Sequence, residues 1–105
     1  MISNLGIGLT TCQNKESAKT LTRSLLNKDL IACGQINGPV TSIYSWNGKL
    51  TESEEWRVVM KFKLSNSDKI ERILRQEHEY KVPQWVFWKS QSSEDYARWV
   101  NFPSI

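Results

Sequence analysis

The clearest pattern in the chain is an alternation of apolar and charged positions that begins at Trp56. The apolar positions are every second residue: Val58, Met60, Phe62 and Leu64. The residues between them are mostly basic, namely Arg57, Lys61 and Lys63, with Val59 as the one apolar exception. A period of two is typical of a strand that buries one face. The segment is therefore predicted to be a half-buried strand.

A partner strand is predicted directly before it. Ile31–Trp46 is interpreted as a strand in two pieces, interrupted at Gly38-Pro39. In the second piece, one face carries Val40, Ser42, Tyr44 and Trp46. Asn47-Gly48 follows, and this dipeptide is strongly preferred in the two-residue turn of a β-hairpin. The two strands are therefore predicted to form one long hairpin.

The segments before the hairpin predict a strand and a helix. Residues 2–12 are rich in β-formers, with Gly6 and Gly8 among them. Asn14 is a plausible N-cap for the helix that follows. The apolar face of that helix is formed by Ala18, Leu21, Leu25 and Leu26. The helix is predicted to end near Asp29.

The segments after the hairpin predict a helix, a short strand and a final helix. Ser65-Asn-Ser-Asp68 resembles a capping box, with Asp in place of the usual Glu. The buried face of the second helix is predicted to carry Ile70, Ile73 and Leu74. Trp85–Trp88 is predicted to be a strand. The last helix, capped by Ser92 or Ser93, is predicted to have one apolar side, consisting of Tyr96, Trp99 and Val100.

The order of elements is β-α-β-β-α-β with an added terminal helix. Residues 1–105 are therefore predicted to form a single α+β domain of the ferredoxin-like βαββαβ type. Its antiparallel sheet carries the helices on one face, with a long hairpin between the second and third strands.

The length of the hairpin predicts an oligomer. A strand from Ile31 to Trp46 reaches about 50 Å at ~3.3 Å per residue, whereas a domain of this size has a radius of gyration of only about 13 Å. The tip from Tyr44 to Trp56 should project beyond the core and expose Tyr44, Trp46 and Trp56. A second copy of the chain would cover this apolar patch. The alternative is a hairpin that bends at Gly38-Pro39 and folds back on its own sheet.

Composition narrows the class of protein. The chain is 39% hydrophobic and 24% charged with a net charge of +3, which is typical of a globular domain. Its basic residues are scattered, so we expect no nucleic-acid partner. No segment has the ~20 apolar residues of a membrane-spanning helix. Cys12 and Cys33 are too few for a disulfide scaffold, and a cytoplasmic location is expected.

No catalytic motif is present, and we expect no enzymatic activity. Gly6 and Gly8 lack the third glycine of a dinucleotide fingerprint. His78, the only histidine, would suit copper or zinc beside a thiolate and a carboxylate. The alternative for His78 is a capping or packing role at a helix end. Cys12 and Cys33 likewise have two interpretations, either as small buried residues or as metal ligands.

Acidic and basic residues near the hairpin offer a second kind of chemistry. Glu52, Glu54 and Glu55 follow the turn. They form either a solvated face that discourages edge pairing or part of a cation site between subunits. Lys61 lies on the polar face of its strand, where a lysine that reaches solvent is a sufficient explanation.

Several motifs together resemble the CutA family of divalent-cation tolerance proteins. They are Leu30-Ile-Ala-Cys33, Val40-Thr-Ser-Ile-Tyr-Ser-Trp-Asn-Gly-Lys49, Glu55, Lys61, His78-x-Tyr80-x-Val82-Pro83 and Asp95-Tyr96-x-x-Trp99. The resemblance covers nearly the whole chain. It implies a ferredoxin-like fold, a homotrimer built by hairpin exchange, a cytoplasmic location and a link to tolerance of divalent metals such as copper.

The resemblance also implies a set of site residues in a cleft between subunits. The ligand-binding residues would be Tyr44, Trp46, Glu55, Lys61 and Tyr80. Metal ligands would be His78 with Cys33. The chain departs from the family's frequent H-P-Y-E-V-P-E run, with Glu79, Lys81 and Gln84 in place of Pro, Glu and Glu. Near His78, the changes at positions 81 and 84 remove two anionic side chains and add a cation, which disfavours cation capture, whereas Glu79 adds one anionic side chain back.

Three functions remain open at this point. The first is a metal-associated trimer that binds copper or another divalent cation at a subunit boundary. The second is a small-molecule or anion-sensing trimer, or a scaffold, similar in assembly to the nitrogen-regulatory PII proteins. The third is an RNA-binding module, but Arg57-Val-Val-Met-Lys61 lacks the glycines and aromatics of an RNA-recognition motif.

Overall fold

The computed structural model describes residues 3–103. Four strands and three α-helices follow one another: β1 (Asn4–Cys12), α1 (Lys15–Asn27), β2 (Cys33–Trp46), β3 (Lys49–Phe62), α2 (Ser67–Glu77), β4 (Val86–Gln91) and α3 (Glu94–Asn101). The strands form one sheet in the order β2-β3-β1-β4, and every neighbouring pair is antiparallel. This topology confirms the predicted α+β ferredoxin-like fold.

One face of the sheet and the helices α1 and α2 enclose the main core. The alternation on β3 is confirmed: Val58, Met60 and Phe62 are fully buried. From the two helices the core receives Ala18, Leu21, Leu25, Ile70 and Leu74. A Cβ on Gly6 would lie 2.6 Å from the Phe62 ring, and one on Gly8 would lie 2.5 Å from Trp85. The aromatic rings therefore pack directly on a glycine surface.

The third helix packs on the opposite face of the sheet. It contacts β1 and β3, and Ala97 and Val100 are buried together with Leu5. The Nδ2 atom of Asn101 donates a hydrogen bond to the Asn4 carbonyl at 3.0 Å. The predicted apolar side of this helix was therefore wrong in part, because Ala97 replaces two aromatic residues at the contact. Tyr96 and Trp99 are exposed, with their rings 5.7 Å apart.

Several element ends differ from the prediction. The N-cap at Asn14 is confirmed, because its Oδ1 accepts from the Ser17 amide at 2.7 Å. The helix ends at Asn27, since Asp29 has a φ of 57°. The predicted capping box at Ser65 is wrong. Residues 64–66 form a 3₁₀ turn, which removes Leu64 from β3, and the side-chain Nδ2 of Asn66 donates to the Leu30 carbonyl instead of capping the helix.

The bounds of three strands also differ from the prediction. β1 begins at Asn4, and residue 2, where the strand was predicted to begin, lies outside the described residues. β2 begins at Cys33, two residues after the predicted start. β4 begins at Val86 and continues to Gln91, beyond the predicted Trp88. Ser93 precedes the last helix, but its side chain makes no capping hydrogen bond.

The hairpin of β2 and β3 extends the molecule to 48 × 24 × 23 Å. Asn47 and Gly48 have φ values of 52° and 76°, as the predicted two-residue turn requires. The tip projects and exposes Tyr44, Trp46 and Leu50. Trp56, predicted to lie in this exposed patch, packs instead against the core, where the Nζ of Lys15 lies 5.6 Å from its ring centroid.

A β-bulge in β2 sets which side chains face which way. Asn37 pairs with Arg57 and Val40 pairs with Glu55, so β2 advances three residues while β3 advances two. The bulge occurs at the predicted interruption, Gly38-Pro39. Because side chains alternate along a strand, the extra residue reverses the phase of β2. The even-numbered residues from Val40 to Trp46 therefore share the face of Glu55.

Candidate functional site

A buried carboxylate lies where the hairpin leaves the domain. Glu55 is on the sheet face opposite α1 and α2 and is only 9% exposed. The hydroxyl of Tyr80 donates to its Oε2 at 2.8 Å, and the hydroxyl side chains of Ser42 and Thr11 are also near the carboxylate and favour its ionised form. Burial opposes ionisation, but these polar neighbours outweigh it and hold the pKa of Glu55 below its usual value. Glu55 is therefore an anion at neutral pH.

His78 holds Tyr80 in place. The chain leaves α2 at His78 with an extended backbone. The Nδ1 of His78 accepts from the Tyr80 amide at 3.0 Å, and Nε2 lies 2.8 Å from the Thr11 carbonyl. A carbonyl only accepts, so this network assigns a neutral imidazole with its proton on Nε2. Both ring nitrogens are therefore engaged by backbone groups.

Tyr80 is a fixed hydrogen-bond donor. Burial, then its hydrogen bond to the Glu55 carboxylate and the charge of that group, raise the pKa of Tyr80 well above its usual value. Its ring lies 4.9 Å from the ring of His78. The phenol therefore stays protonated at neutral pH and stabilises the Glu55 anion.

A cavity of about 790 Å³ opens beside Glu55. Its walls come from β1, β2, β3 and the segment after His78: Leu9, Thr11, Val40, Ser42, Tyr44, Trp46, Glu55, Arg57, Glu79, Tyr80, Lys81, Val82, Pro83 and Gln84. Tyr44 and Trp46 are 40% and 49% exposed, so their rings are available to a ligand. The size is within the range of small-molecule sites.

The charges of this cavity differ with depth. Arg57, Glu79 and Lys81 are exposed, whereas Glu55 is buried. Among residues 3–103, no lysine, arginine or histidine nitrogen forms a salt bridge with Glu55. Glu55, the buried charged residue of the cavity, therefore has hydroxyl groups as neighbours and no salt bridge to a cation of the described residues.

A second cavity, of about 430 Å³, lies on the other side of His78 and is lined in part by Cys12, Glu77 and Glu79. The Sγ of Cys12 is 3.9 Å from the Nε2 of His78. Burial, followed by the charges of Glu79 and Glu55, raises the pKa of Cys12 to about 11. The thiol is therefore protonated at neutral pH and is not a nucleophile.

The predicted site residues fall into two groups. Tyr44, Trp46, Glu55 and Tyr80 surround the larger cavity. Lys61 lies six residues beyond Glu55 on β3, roughly 20 Å away at ~3.3 Å per residue, and donates to Gln35. Cys33 pairs with Lys61, so it belongs to the same distant region.

The structure does not bring His78 and Cys33 together. The thiol beside His78 is that of Cys12, which pairs with Trp56, five residues along β3 from the partner of Cys33. In the described part of the chain, no three His, Cys, Asp or Glu residues are grouped to hold a metal ion. Because both nitrogens of His78 are engaged as well, the two residues do not fit a metal site within one chain.

Other residues of the site were not predicted. Thr11 and Ser42 support Glu55, and Arg57 and Lys81 add charge to the cavity. Ser42 shares a face with Tyr44 and Trp46 in the sequence pattern, which is a usable signal. Thr11 had none, because its place beside Glu55 depends on the pairing of β1 with β3.

The fold and this cleft define a ferredoxin-like domain with a projecting hairpin and a carboxylate-centred cavity. The sequence profile of the family described as "CutA1 divalent ion tolerance protein" matches residues 7–102. The chain therefore belongs to the CutA1 divalent ion tolerance protein family.

Individual relatives agree with this assignment. The Protein CutA homolog of Xenopus laevis is 32% identical over 98 residues, covering 92% of this chain and 65% of that protein. The divalent-cation tolerance protein CutA of Yersinia pestis is 28% identical, covering 94% and 84%. The divalent cation tolerance protein of Thermus thermophilus has a TM-score of 0.88 at 27% identity, covering 93% and 95%. The chain spans 55–65% of the length of the vertebrate relatives it matches.

Proposed function

We propose that this chain is a non-enzymatic binding protein of divalent-cation tolerance that works as a cytoplasmic homotrimer. The role in tolerance is supported by the names of its relatives, including "Divalent-cation tolerance protein CutA" in Yersinia pestis. The observation that carries the assembly is the projecting hairpin with its exposed apolar side chains. The ligand, a divalent cation such as copper or a small molecule, would bind in a cleft between subunits.

Assembly is supported by a second apolar surface. The sheet face that α1 and α2 leave uncovered carries Ile7, Leu9, Val59, Val86 and Trp88, which share cross-strand positions. Val86 and Trp88 are 49% and 45% exposed. A patch of this kind next to the exposed hairpin favours burial against further copies of the chain.

Binding rather than catalysis is supported by the groups around the cavity. Glu55 and His78 are engaged in hydrogen bonds. Tyr80 and Cys12 have raised pKa values. A general acid or base needs a pKa near the working pH, and a nucleophilic cysteine needs a thiolate. Glu55, Tyr80 and Cys12 are therefore set up to hold a structure and not to transfer protons, and both ring nitrogens of His78 are engaged by backbone groups.

The proposed location and partners rest on simple observations. Cys12 and Cys33 are both free thiols, as is usual in the cytosol. No helix within residues 3–103 is long and apolar enough to cross a membrane. We include neither a nucleic acid nor a membrane among the proposed partners.

A shared metal ion would need residues from different subunits. His78 and Cys33 lie apart in one chain, so an ion that uses both must bridge two copies and must displace a backbone partner of the His78 ring. Removing His78 would also disturb the fold. Cys33 is the cleaner probe, because it is half-buried and far from Glu55. Cys12→Ala is the matched thiol control.

The test combines mass in solution with thermal melts of metal-stripped protein. We expect a trimer whose melting temperature rises with Cu(II) or Zn(II), since a ligand that binds only the native state stabilises it. Each variant is compared with its own metal-free melt. Loss of the rise in Cys33→Ser, but not in Cys12→Ala, supports the intersubunit metal site. A monomeric mass contradicts the assembly, and a melt indifferent to excess metal contradicts the metal ligand.

The cavity at Glu55 favours a second candidate, a trimer that senses a small molecule in the manner of the PII proteins. Its volume, its aromatic walls and the exposed cations Arg57 and Lys81 fit an organic ligand better than a bare ion. A thermal-shift screen of metabolites tests it. At least one compound should raise the melting temperature of the wild type and fail to do so in Trp46→Ala, and a screen without any such compound contradicts it.

A further inference from the structure

We propose that the cavity beside Glu55 binds an organic cation, with its ammonium group against the Glu55 carboxylate and its carbon body against Tyr44 and Trp46. This inference rests on the cleft of the second candidate function and names the chemical class of its ligand. It does not depend on whether the protein also binds a metal ion.

The first step is the state of Glu55. Its hydrogen-bond donor Tyr80 and the nearby side chains of Ser42 and Thr11 are neutral hydroxyl groups. They stabilise the carboxylate, but they leave its charge in place. A carboxylate removed from water is costly unless a cation pairs with it. Within residues 3–103 none forms a salt bridge with it, so Glu55 lacks a directly paired cation, while Arg57 and Lys81 line the exposed part of the cavity.

The second step is the shape and chemistry of the walls. Tyr44 and Trp46 lie two residues apart on β2 and face the same cavity. Their ring faces attract cations electrostatically, and Trp is the strongest of the aromatic side chains in this respect. Leu9, Val40 and Val82 add apolar surface. A buried carboxylate with aromatic neighbours is the combination that recognises alkylammonium groups.

The third step is the comparison with other ligand classes. A hard divalent cation needs several oxygen ligands at once, whereas the described residues offer one buried carboxylate that already accepts hydroxyl protons. A simple anion would be attracted by Arg57 and Lys81 but repelled by Glu55 at the bottom of the cavity. An organic cation matches the buried Glu55 carboxylate and the aromatic walls, provided that its ammonium group lies at Glu55 and away from the exposed Arg57 and Lys81.

The test uses three probes of the same shape and different charge. Benzylammonium, benzyl alcohol and benzoate are titrated into the trimeric protein, and binding is followed by tryptophan fluorescence and calorimetry. We expect benzylammonium to bind at least tenfold more tightly than the other two. Equal binding of benzyl alcohol, or tighter binding of benzoate, would overturn the proposal.

Two variants locate the site. Glu55→Gln removes the charge and keeps an acceptor, and it should weaken benzylammonium at least tenfold. Glu54→Gln removes an exposed charge one residue away and should leave binding unchanged. Tyr44→Leu, at an exposed position, is a second variant that does not depend on the folding of Glu55→Gln, and its mass and melt show whether it is folded. An unchanged affinity in folded Tyr44→Leu would contradict the aromatic contact.

The failure of this inference is distinguishable from failure of the proposed function. If a basic residue of a neighbouring subunit pairs with Glu55 in the trimer, benzylammonium does not bind and the inference is wrong. The mass and the copper-dependent melt are measured on the same samples. A trimer that responds to copper but not to benzylammonium keeps the proposed function and rejects the organic cation.

Discussion

The two halves of β3 differ in how their side chains are stabilised. From Val58 to Phe62, every second residue is fully buried, in contact with helices of the same chain. From Lys49 to Glu54, no residue is buried, although the strand pairing continues to the turn. The outer half is held by backbone hydrogen bonds and one neighbouring strand, an arrangement that is marginal on its own. The inner half is thus stabilised by its own chain, and the outer half needs a further partner.

Glu55 lies at the boundary between these halves. It is the first buried residue of β3 after the turn, and its carboxylate accepts a hydrogen bond from Tyr80. The polar cluster therefore joins the projecting hairpin to the body of the domain. The predictions below are ordered from the largest expected effect, in the inner half, to the smallest, at the boundary.

Phe62→Ala should remove the largest stabilising contact of the inner half. The ring is fully buried and packs against Trp85 and Phe87 with centroids 5.7 and 6.4 Å away. A loss of about 3–5 kcal/mol in the free energy of unfolding is expected from the cavity left behind. Urea denaturation measures it. Phe102→Ala, at a 55% exposed ring, is the matched control, and equal losses in both would contradict the comparison.

His78→Ala should have the next largest effect. It leaves the Thr11 carbonyl and the Tyr80 amide without their partners, which corresponds to about 2 kcal/mol for a partly buried pair. Hydrogen exchange should show faster exchange at Tyr80. The effect should be the same with and without metal, and Glu79→Gln next to it serves as control. A loss seen only in the presence of copper would instead indicate a ligand role.

Gly48→Ala tests the turn of the outer half. Gly48 has a φ of 76° and no atom within 4 Å of an added Cβ, so the cost is conformational and amounts to about 1 kcal/mol. The measurement is again chemical denaturation. Asn47→Gly, at the other position with positive φ, is the control and should not destabilise the protein. A tolerated Gly48→Ala would show that the turn conformation contributes little.

The pH dependence of the unfolding free energy should be the smallest effect. It tests whether Glu55, at the boundary between the two halves of β3, contributes to stability through its charge. Because the pKa of Glu55 is lower in the folded chain, the stability it contributes is present above about 4.3, the value in unfolded chains. It is lost as the pH falls through the folded-state pKa. The difference in unfolding free energy between wild type and Glu55→Gln should therefore shrink between pH 7 and pH 3. The same change in Glu54→Gln would contradict a specific role of Glu55.

The sequence predicted the inner half of the fold well because its signals are local. The alternation after Trp56 identified the buried face of β3, and Asn47-Gly48 identified the turn. The errors occurred where a tertiary contact overrides a local preference. Asn66 donates to Leu30 across the fold and displaces the predicted capping box, and α3 turns its small residue Ala97, not Trp99, toward the sheet.

The sequence predicted the candidate site only in part. The alternation along the strands indicated which residues share a sheet face, and the family motifs indicated which of them belong to the site. Tyr44, Trp46, Glu55 and Tyr80 surround one cavity, as the family motifs imply. Lys61 and Cys33 lie on the same sheet face but too far along it, and periodicity alone does not show distance along a strand. The thiol beside His78 belongs to Cys12, separated from it by 66 positions, and no spacing rule could indicate that.

The bulge at Gly38-Pro39 determines the strand register of the outer half of β2. If β2 passed through Gly38 and Pro39 as a regular strand, Pro39 would lie opposite Glu55, and Thr41, Ile43 and Ser45 would share its face in place of Ser42, Tyr44 and Trp46. The composition of the hairpin would be unchanged, yet the cavity would lose its aromatic walls. The contents of the cleft are thus encoded less by which residues the hairpin contains than by the backbone conformation at one dipeptide before them.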